Sequence, residues 1–205
     1  MRRQSKATTL ALLCLAPAAI AWTSVREPLA LQPESKLWIN GTSTVRAFQC
    51  TATAFETQVQ SAAPGAIGAI VAGTKAVETA ELTVPAAKLD CRNATMNEHM
   101  LKALKAKDNP TITFRIDSYD VARAGDGVDG TAVGQLTLGG VTRPITVTAH
   151  AIPAADGALR LTGSYRLKMT EFGLKPPSLM MGTMKMNENV EVGFDLLLKG
   201  ETPKT

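Results

Sequence analysis

Apolar and polar residues alternate through most of the chain beyond residue 35, a period of two that marks strands with one buried face. In TITFRIDSY, Ile112, Phe114 and Ile116 share one side while Thr113, Arg115 and Asp117 share the other. GTAVGQLTL aligns Ala132, Gly134, Leu136 and Leu138, and ITVTAHA aligns Ile145, Val147 and Ala149. LRLTGSYRLKM aligns Leu159, Leu161, Tyr165, Leu167 and Met169; the last strand, VEVGFDLLL, aligns Val190, Val192, Phe194, Leu196 and Leu198. The first half is less regular and predicts strands over 36–40, over 43–59 as one bulged strand or two short ones, and over 75–84. Gly139 and Gly140 supply a tight hairpin turn, because glycine adopts positive φ without steric cost. The segment ATMNEHMLKALKAKDNP has helical spacing instead: Met96, Met100, Ala103 and Leu104 share a face, Asn93 or Thr95 can cap it, and Pro110 lies beyond its end. Residues 61–74, rich in Ala and Gly, predict a loop or a short apolar lid. About eight one-sided strands and one short helix make an all-β chain whose antiparallel sheet wraps its own interior, as a barrel or a sandwich.

At 205 residues the chain holds one domain with a sizeable core. Residues 1–21 read as a cleaved signal peptide: Arg2, Arg3 and Lys6 form a basic head, an apolar run follows from Ala7 to Ala21, and Ala19-Ile20-Ala21 has the small-residue form of a cleavage site. Residues 22–35, with two prolines and no period, read as a tether; 36–199 form the barrel domain and 200–205 a C-terminal tail. The leader changes the charge argument. It carries three of the 22 basic residues and none of the 18 acidic ones, so the remainder has 19 against 18 and a net charge of +1. That balance gives no case for a nucleic-acid partner. Cys50 and Cys91 are the two cysteines left after the leader, an even count in an oxidising compartment, and they predict a disulfide. Closing a loop of roughly 40 residues would stabilise the fold by about 4 kcal/mol.

The chemistry of an enzyme is missing. His99 and His150 are the two histidines, one on the helix and one on the polar face of its strand, and the chain has no G-x-S-x-G, H-E-x-x-H or phosphate-loop motif. The segment LMMGTMKM places Met180, Met181, Met184 and Met186 close together, which supports two readings. Soft thioethers suit Cu(I); methionine is also the adaptable filler of apolar surfaces. Alternation carried back from Val190 turns Met184 and Met186 inward if the last strand begins that early, which favours a flexible lining. The inward faces use mainly small and medium side chains, and the chain has five Phe, two Trp and two Tyr. An eight-stranded barrel walled this way leaves room for one guest.

The ordered set LDCRNATMNEHML (89–101), NPTITFRI (109–116), GQLTLGGVTRPITV (134–147), TEFGL (170–174) and MNENVEVGFDL (186–196) resembles the YceI-like family over about residues 36–199. The resemblance implies an extended, eight-stranded, lipocalin-like barrel, exported to the periplasm, whose interior holds a polyisoprenoid or another amphiphilic lipid. Together with the alternation it makes Ile112, Phe114, Leu136, Leu138, Leu161, Met169, Met180, Met184, Val192 and Phe194 the candidate lining, with Phe172 at a turn as a further candidate. The expected function is non-enzymatic binding, storage or transport of that lipid, without cofactor or metal and without a transmembrane segment; a homodimer is left open. The alternatives are a copper-binding module built on Met180–Met186 and a stress-related scaffold with a filled barrel.

Overall fold

The computed structural model describes residues 26–179 and 184–201; the segment read as a signal peptide, Met180 and Met181 lie outside them. Its strands are β1 (Pro28–Leu31), β2 (Lys36–Thr42), β3 (Ala47–Ala52), β4 (Glu56–Ser61), β5 (Val77–Pro85), β6 (Leu89–Asp90) and β7 (Thr111–Ala124). There follow β8 (Gly127–Leu138), β9 (Val141–Pro153), β10 (Leu159–Lys168), β11 (Ser178–Leu179), β12 (Met184–Lys185) and β13 (Asn189–Gly200). Two helices interrupt them, α1 (Ala66–Val71) and α2 (Ala94–Ala103).

The strands close into an antiparallel ring of eight in the order β1, β4, β5, β7, β8, β9, β10, β13, with β13 pairing back onto β1. β2, β3 and β6 are continuations of ring strands. β13 carries β1 at Leu198–Gly200 and β2 at Glu191–Asp195; β4 faces β1 while β3 faces β2. Three staves of the barrel are therefore broken in two, and each break has a local cause. Pro33, which lacks an N–H, sits in a turn where Ser35 N–H donates to Gln32 O (3.1 Å), and the Ser35 hydroxyl takes over the Leu197 N–H at 2.9 Å. Thr53 bridges the second break, its N–H and hydroxyl both donating to Lys88 O at 2.7 and 2.9 Å. The third is a 3₁₀ turn, Ala86–Lys88.

The second half follows the alternation closely. Gly139 and Gly140 turn the β8–β9 hairpin with φ of 57° and 82°, the two positive values a type I′ turn needs. Asn93 caps α2, accepting the Met96 N–H at 2.9 Å. Four details differ from the expectations or sharpen them. Residues 28–31 of the supposed tether form β1, which closes the ring, and the supposed tail begins one residue early because Gly200 pairs with Leu29. Residues 61–74 contain a second helix, α1, which buries Ala66 and Ile70 against one end of the barrel. The last strand does not reach back to Met184: β13 starts at Asn189, and Met184 belongs to β12, paired with Leu179.

Buried side chains gather in two clusters. One, around Leu29, Val59, Ile70 and Leu198, lies under α1; the other, around Leu37, Leu104, Leu138, Phe172 and Leu174, lies towards α2. Between them the barrel is hollow.

Candidate functional site

The inward faces enclose a cavity of about 630 Å³ that runs from Ile70 of α1 to Met96, His99 and Met100 of α2. Ile112, Phe114, Leu136, Leu138, Leu161, Met169, Val192 and Phe194 all border it, and so does Met186 of the methionine segment. Phe172 does not. It is 1 % exposed in the 3₁₀ turn Met169–Phe172, packed into the cluster with Leu174 and Leu104, and does not face the lumen. Met180 lies outside the described residues, and Met184 is placed by its backbone alone.

Glycines keep the lumen open. Three inward phenylalanines each lie over an inward glycine on the neighbouring strand: Phe48 over its partner Gly41, Phe194 over its partner Gly163, and Phe114 over Gly134, which is offset by two pairs. A Cβ on Gly41 would stand 2.2 Å from the Phe48 ring, and one on Gly163 would stand 2.5 Å from Phe194. The missing side chain lets each ring lie against the wall instead of projecting into the centre, the cross-strand covering of glycine by an aromatic ring. Volume that these rings would otherwise fill stays available to a guest.

At the α2 end the wall changes character. β6 covers only Thr51 and Ala52 of β3, so the β3 edge from Ala47 to Cys50 has no strand beyond it among the described residues. The segment leading into α2 closes this side. The disulfide between Cys50 and Cys91 ties it to β3, and both cysteines border the cavity. Asn97 ties it to β6, accepting the Cys91 N–H at 2.8 Å and donating to Asp90 at 2.8 Å. The Asn97 amide, and then the Arg92 N–H, hold the Asp90 carboxyl below its usual range. Arg46, Asn93 and Thr95 are exposed and also border the cavity, so the lumen meets solvent here.

Polar groups within the wall are few. Burial pushes the Tyr165 phenol above its ordinary pKa, with Glu171 adding to the effect, so at neutral pH it is a hydroxyl donor facing the lumen. Thr57 Oγ1 is buried in the wall with no hydrogen-bond partner among the described residues. His150 is remote from this chemistry: its Nδ1 meets Asp129 at 2.7 Å on the outer surface. Among the described residues no three His, Cys, Asp or Glu side chains converge to hold a metal ion.

Sequence reasoning missed the part of the lining that comes from the broken staves, including Leu37, Ile39, Phe48, Thr57 and Val59. A signal for part of it was present. Arg46, Phe48, Cys50 and Ala52 alternate on one face, and an inward Cys50 carries the other three inward with it.

The YceI-like domain family is matched over residues 34–198. A UPF0312 protein of Pseudomonas aeruginosa is 36% identical over 102 residues, which are 46% of this chain and 51% of that protein; a UPF0312 protein of Pseudomonas paraeruginosa is 34% identical over the same length. The chain thus spans about half the length of the curated relatives it matches. Among solved structures, BcnA of Burkholderia cenocepacia superposes with a TM-score of 0.60 at 20% identity, over 80% of this chain and 95% of that one. A polyisoprenoid binding domain from Saccharophagus degradans gives 0.61 at 12% identity, over 87% and 100%. A Campylobacter jejuni YCEI protein gives 0.55 at 17%, over 75% and 84%. At these identities the structural likeness is one of fold.

Proposed function

Since the chain belongs to the YceI-like domain family, we propose that it binds one amphiphilic lipid with a polyisoprenoid-type tail inside the barrel, and that it stores or carries that lipid after export to the periplasm. The observation that carries this reading is the continuous apolar lumen of about 630 Å³, within the size range of small-molecule sites. A hydrocarbon tail needs no directional partner, since each buried methylene contributes about 0.8 kcal/mol. A branched, unsaturated chain also suits walls made of Leu, Ile, Val, Met and edge-turned Phe. The Saccharophagus degradans structure of this fold is described as a polyisoprenoid binding domain, which agrees with the same choice of tail. Among the described residues no helix is long and apolar enough to cross a membrane; export is read from the sequence of residues 1–21.

The test is native mass spectrometry of the folded protein purified from its own host, with organic extraction and titration of an apolar fluorescent probe alongside. A co-purifying lipid mass that the probe displaces is the expected result. Folded protein that yields no lipid and takes up no probe would overturn the reading.

A further inference from the structure

Arg46 is the one lysine or arginine bordering the cavity among the described residues. It sits at the end of the β2–β3 turn, one residue before β3 begins at Ala47, and borders the cavity where the lumen meets solvent. Its backbone is held on both sides by Ser43. The Ser43 N–H and hydroxyl both donate to Arg46 O at 2.9 Å, and the same hydroxyl accepts the Arg46 N–H at 3.1 Å. The turn is tied in turn to β12 and the residues after it, through Thr44 N–H to Lys185 O (2.9 Å) and Asn187 N–H to Thr42 O (2.8 Å). No ion pair engages the guanidinium among the described residues, although six other pairs form on this barrel. The undescribed segments, 1–25, 180–183 and 202–205, contain no Asp or Glu that could supply one.

Across the opening, α2 presents Thr95 and His99 to the same space. The carboxylates that border the cavity stand elsewhere: Asp120 is paired with Lys75 at 2.6 Å on β7, and Glu81 lies beside Gln58 on β5. The lumen is therefore polarised, with a cation and hydrogen-bond donors at the α2 mouth and the apolar cluster of Leu29, Val59, Ile70 and Leu198 under α1.

We propose that Arg46 recognises an oxyanion head group, phosphate or carboxylate, and so fixes the lipid with its head at the α2 mouth and its tail towards α1. A planar guanidinium presents parallel N–H donors to two oxygens of such a group, and the pinned turn lowers the cost of orienting it. The inference rests on the lipid-binding reading above and adds the head-group class and the direction of entry. A neutral hydroxyl would gain little from the same site.

The test displaces a neutral apolar fluorophore from the full chain with farnesol, farnesoic acid and farnesyl phosphate, at low and high salt, using wild type, Arg46→Gln, and Arg166→Gln on the outer wall as control. Because the mouth is solvent-exposed, the expected advantage of the anionic ligands over farnesol is on the order of fivefold at low salt and shrinks as salt screens it. Arg46→Gln should abolish that advantage and leave farnesol unchanged; Arg166→Gln should alter neither. Preference for one anion alone identifies phosphate or carboxylate as the head, and equal preference assigns the site to either. Three equal displacement curves in wild type, or an anion advantage that survives Arg46→Gln, would overturn the head-group inference while leaving the lipid reading intact. A protein that never takes up the fluorophore sinks the lipid reading, and this inference with it.

Discussion

Replacing Gly41 by alanine tests the idea that the lumen is kept open by rings lying on glycines. Gly41 is not among the glycines at positive φ, so alanine fits its backbone. The nearest atoms to the added methyl all belong to the Phe48 ring, with Cζ at 2.2 Å and the two Cε atoms at 2.6 and 2.9 Å. Carbon atoms rest at roughly 3.5–4.0 Å, so the ring edge must retreat by about 1.5 Å. The wall behind is backbone, and the space open to the ring is the cavity. A tilt of that size removes room for about two methylenes of ligand; at about 0.8 kcal/mol each this is roughly a tenfold loss of affinity. The cost in fold stability is that of mild overpacking, about 1–3 kcal/mol.

The assay is probe binding by fluorescence, with thermal denaturation in parallel, for Gly41→Ala, Phe48→Ala and the double variant. Gly41→Ala should bind about tenfold more weakly, and the double variant should recover most of that loss because the ring is gone. Such a cycle isolates the coupling between the two positions. Probe affinity within twofold of wild type in a folded Gly41→Ala protein would refute the reasoning, and so would a double variant that binds no better than the single one. In either case the glycine would not be what holds the ring against the wall.

Other perturbations address the frame around the lumen. Cys50→Ser with Cys91→Ser should cost about 4 kcal/mol in urea unfolding, the chain-entropy value for a bridge with a sequence separation of 41, and should raise amide exchange in α2 first; unchanged protection there would show that Asn97 alone seats the helix. Thr57→Val should stabilise the lipid-free protein by about 1 kcal/mol in thermal denaturation, since it removes a buried hydroxyl that makes no bond; destabilisation would reveal a partner for that oxygen. Asp90 has its pKa lowered in the fold, so its contribution is full above the ordinary carboxylate value of 3.8 and is lost as pH falls through the depressed one. Acid titration should therefore loosen α2 below about pH 4, and Asp90→Asn, which lacks that titration, should flatten the pH dependence of helix protection.

What could be read from the chain tracks where its strands are continuous. From Thr111 onward the long strands alternate without interruption except for one bulge near Asp117, and Ile112, Phe114, Leu136, Leu138, Leu161, Val192 and Phe194 came out on the cavity face. Before residue 91 the staves are broken at Pro33, Thr53 and Ala86, and each break interrupts the alternation and shortens the run that can be read. β1 was concealed for a further reason: four residues flanked by Glu27 and Pro33 carry no alternation to read, and their pairing with β13 is a closure contact between the two ends of the domain. Phe172, a candidate because of its turn, lies four residues past the end of β10 and closes a 3₁₀ turn, where strand parity says nothing about facing.

The breaks and the lumen are linked through energy. At about 24 cal/mol per Å³, a dry unfilled space of 630 Å³ would cost on the order of 15 kcal/mol, comparable with the whole net stability of an ordinary domain. A barrel that keeps such a space must therefore draw its stability from elements that do not depend on filling it. The closed ring provides one, since each of its eight strands pairs with a neighbour on both sides. The disulfide and the Asn97–Asp90 tie provide a second, located at the open end where wall pairing runs out. The end plugs around Phe172 and Leu174 and under α1 provide a third. Hydrophobic burial is thus concentrated at the two ends and on the closing contacts, and under the function proposed above the methylenes of the guest would complete the core in the middle. In such a protein ligand binding and folding draw on the same apolar surface, so affinity for a hydrocarbon tail follows from how the barrel is stabilised as much as from any single contact within it.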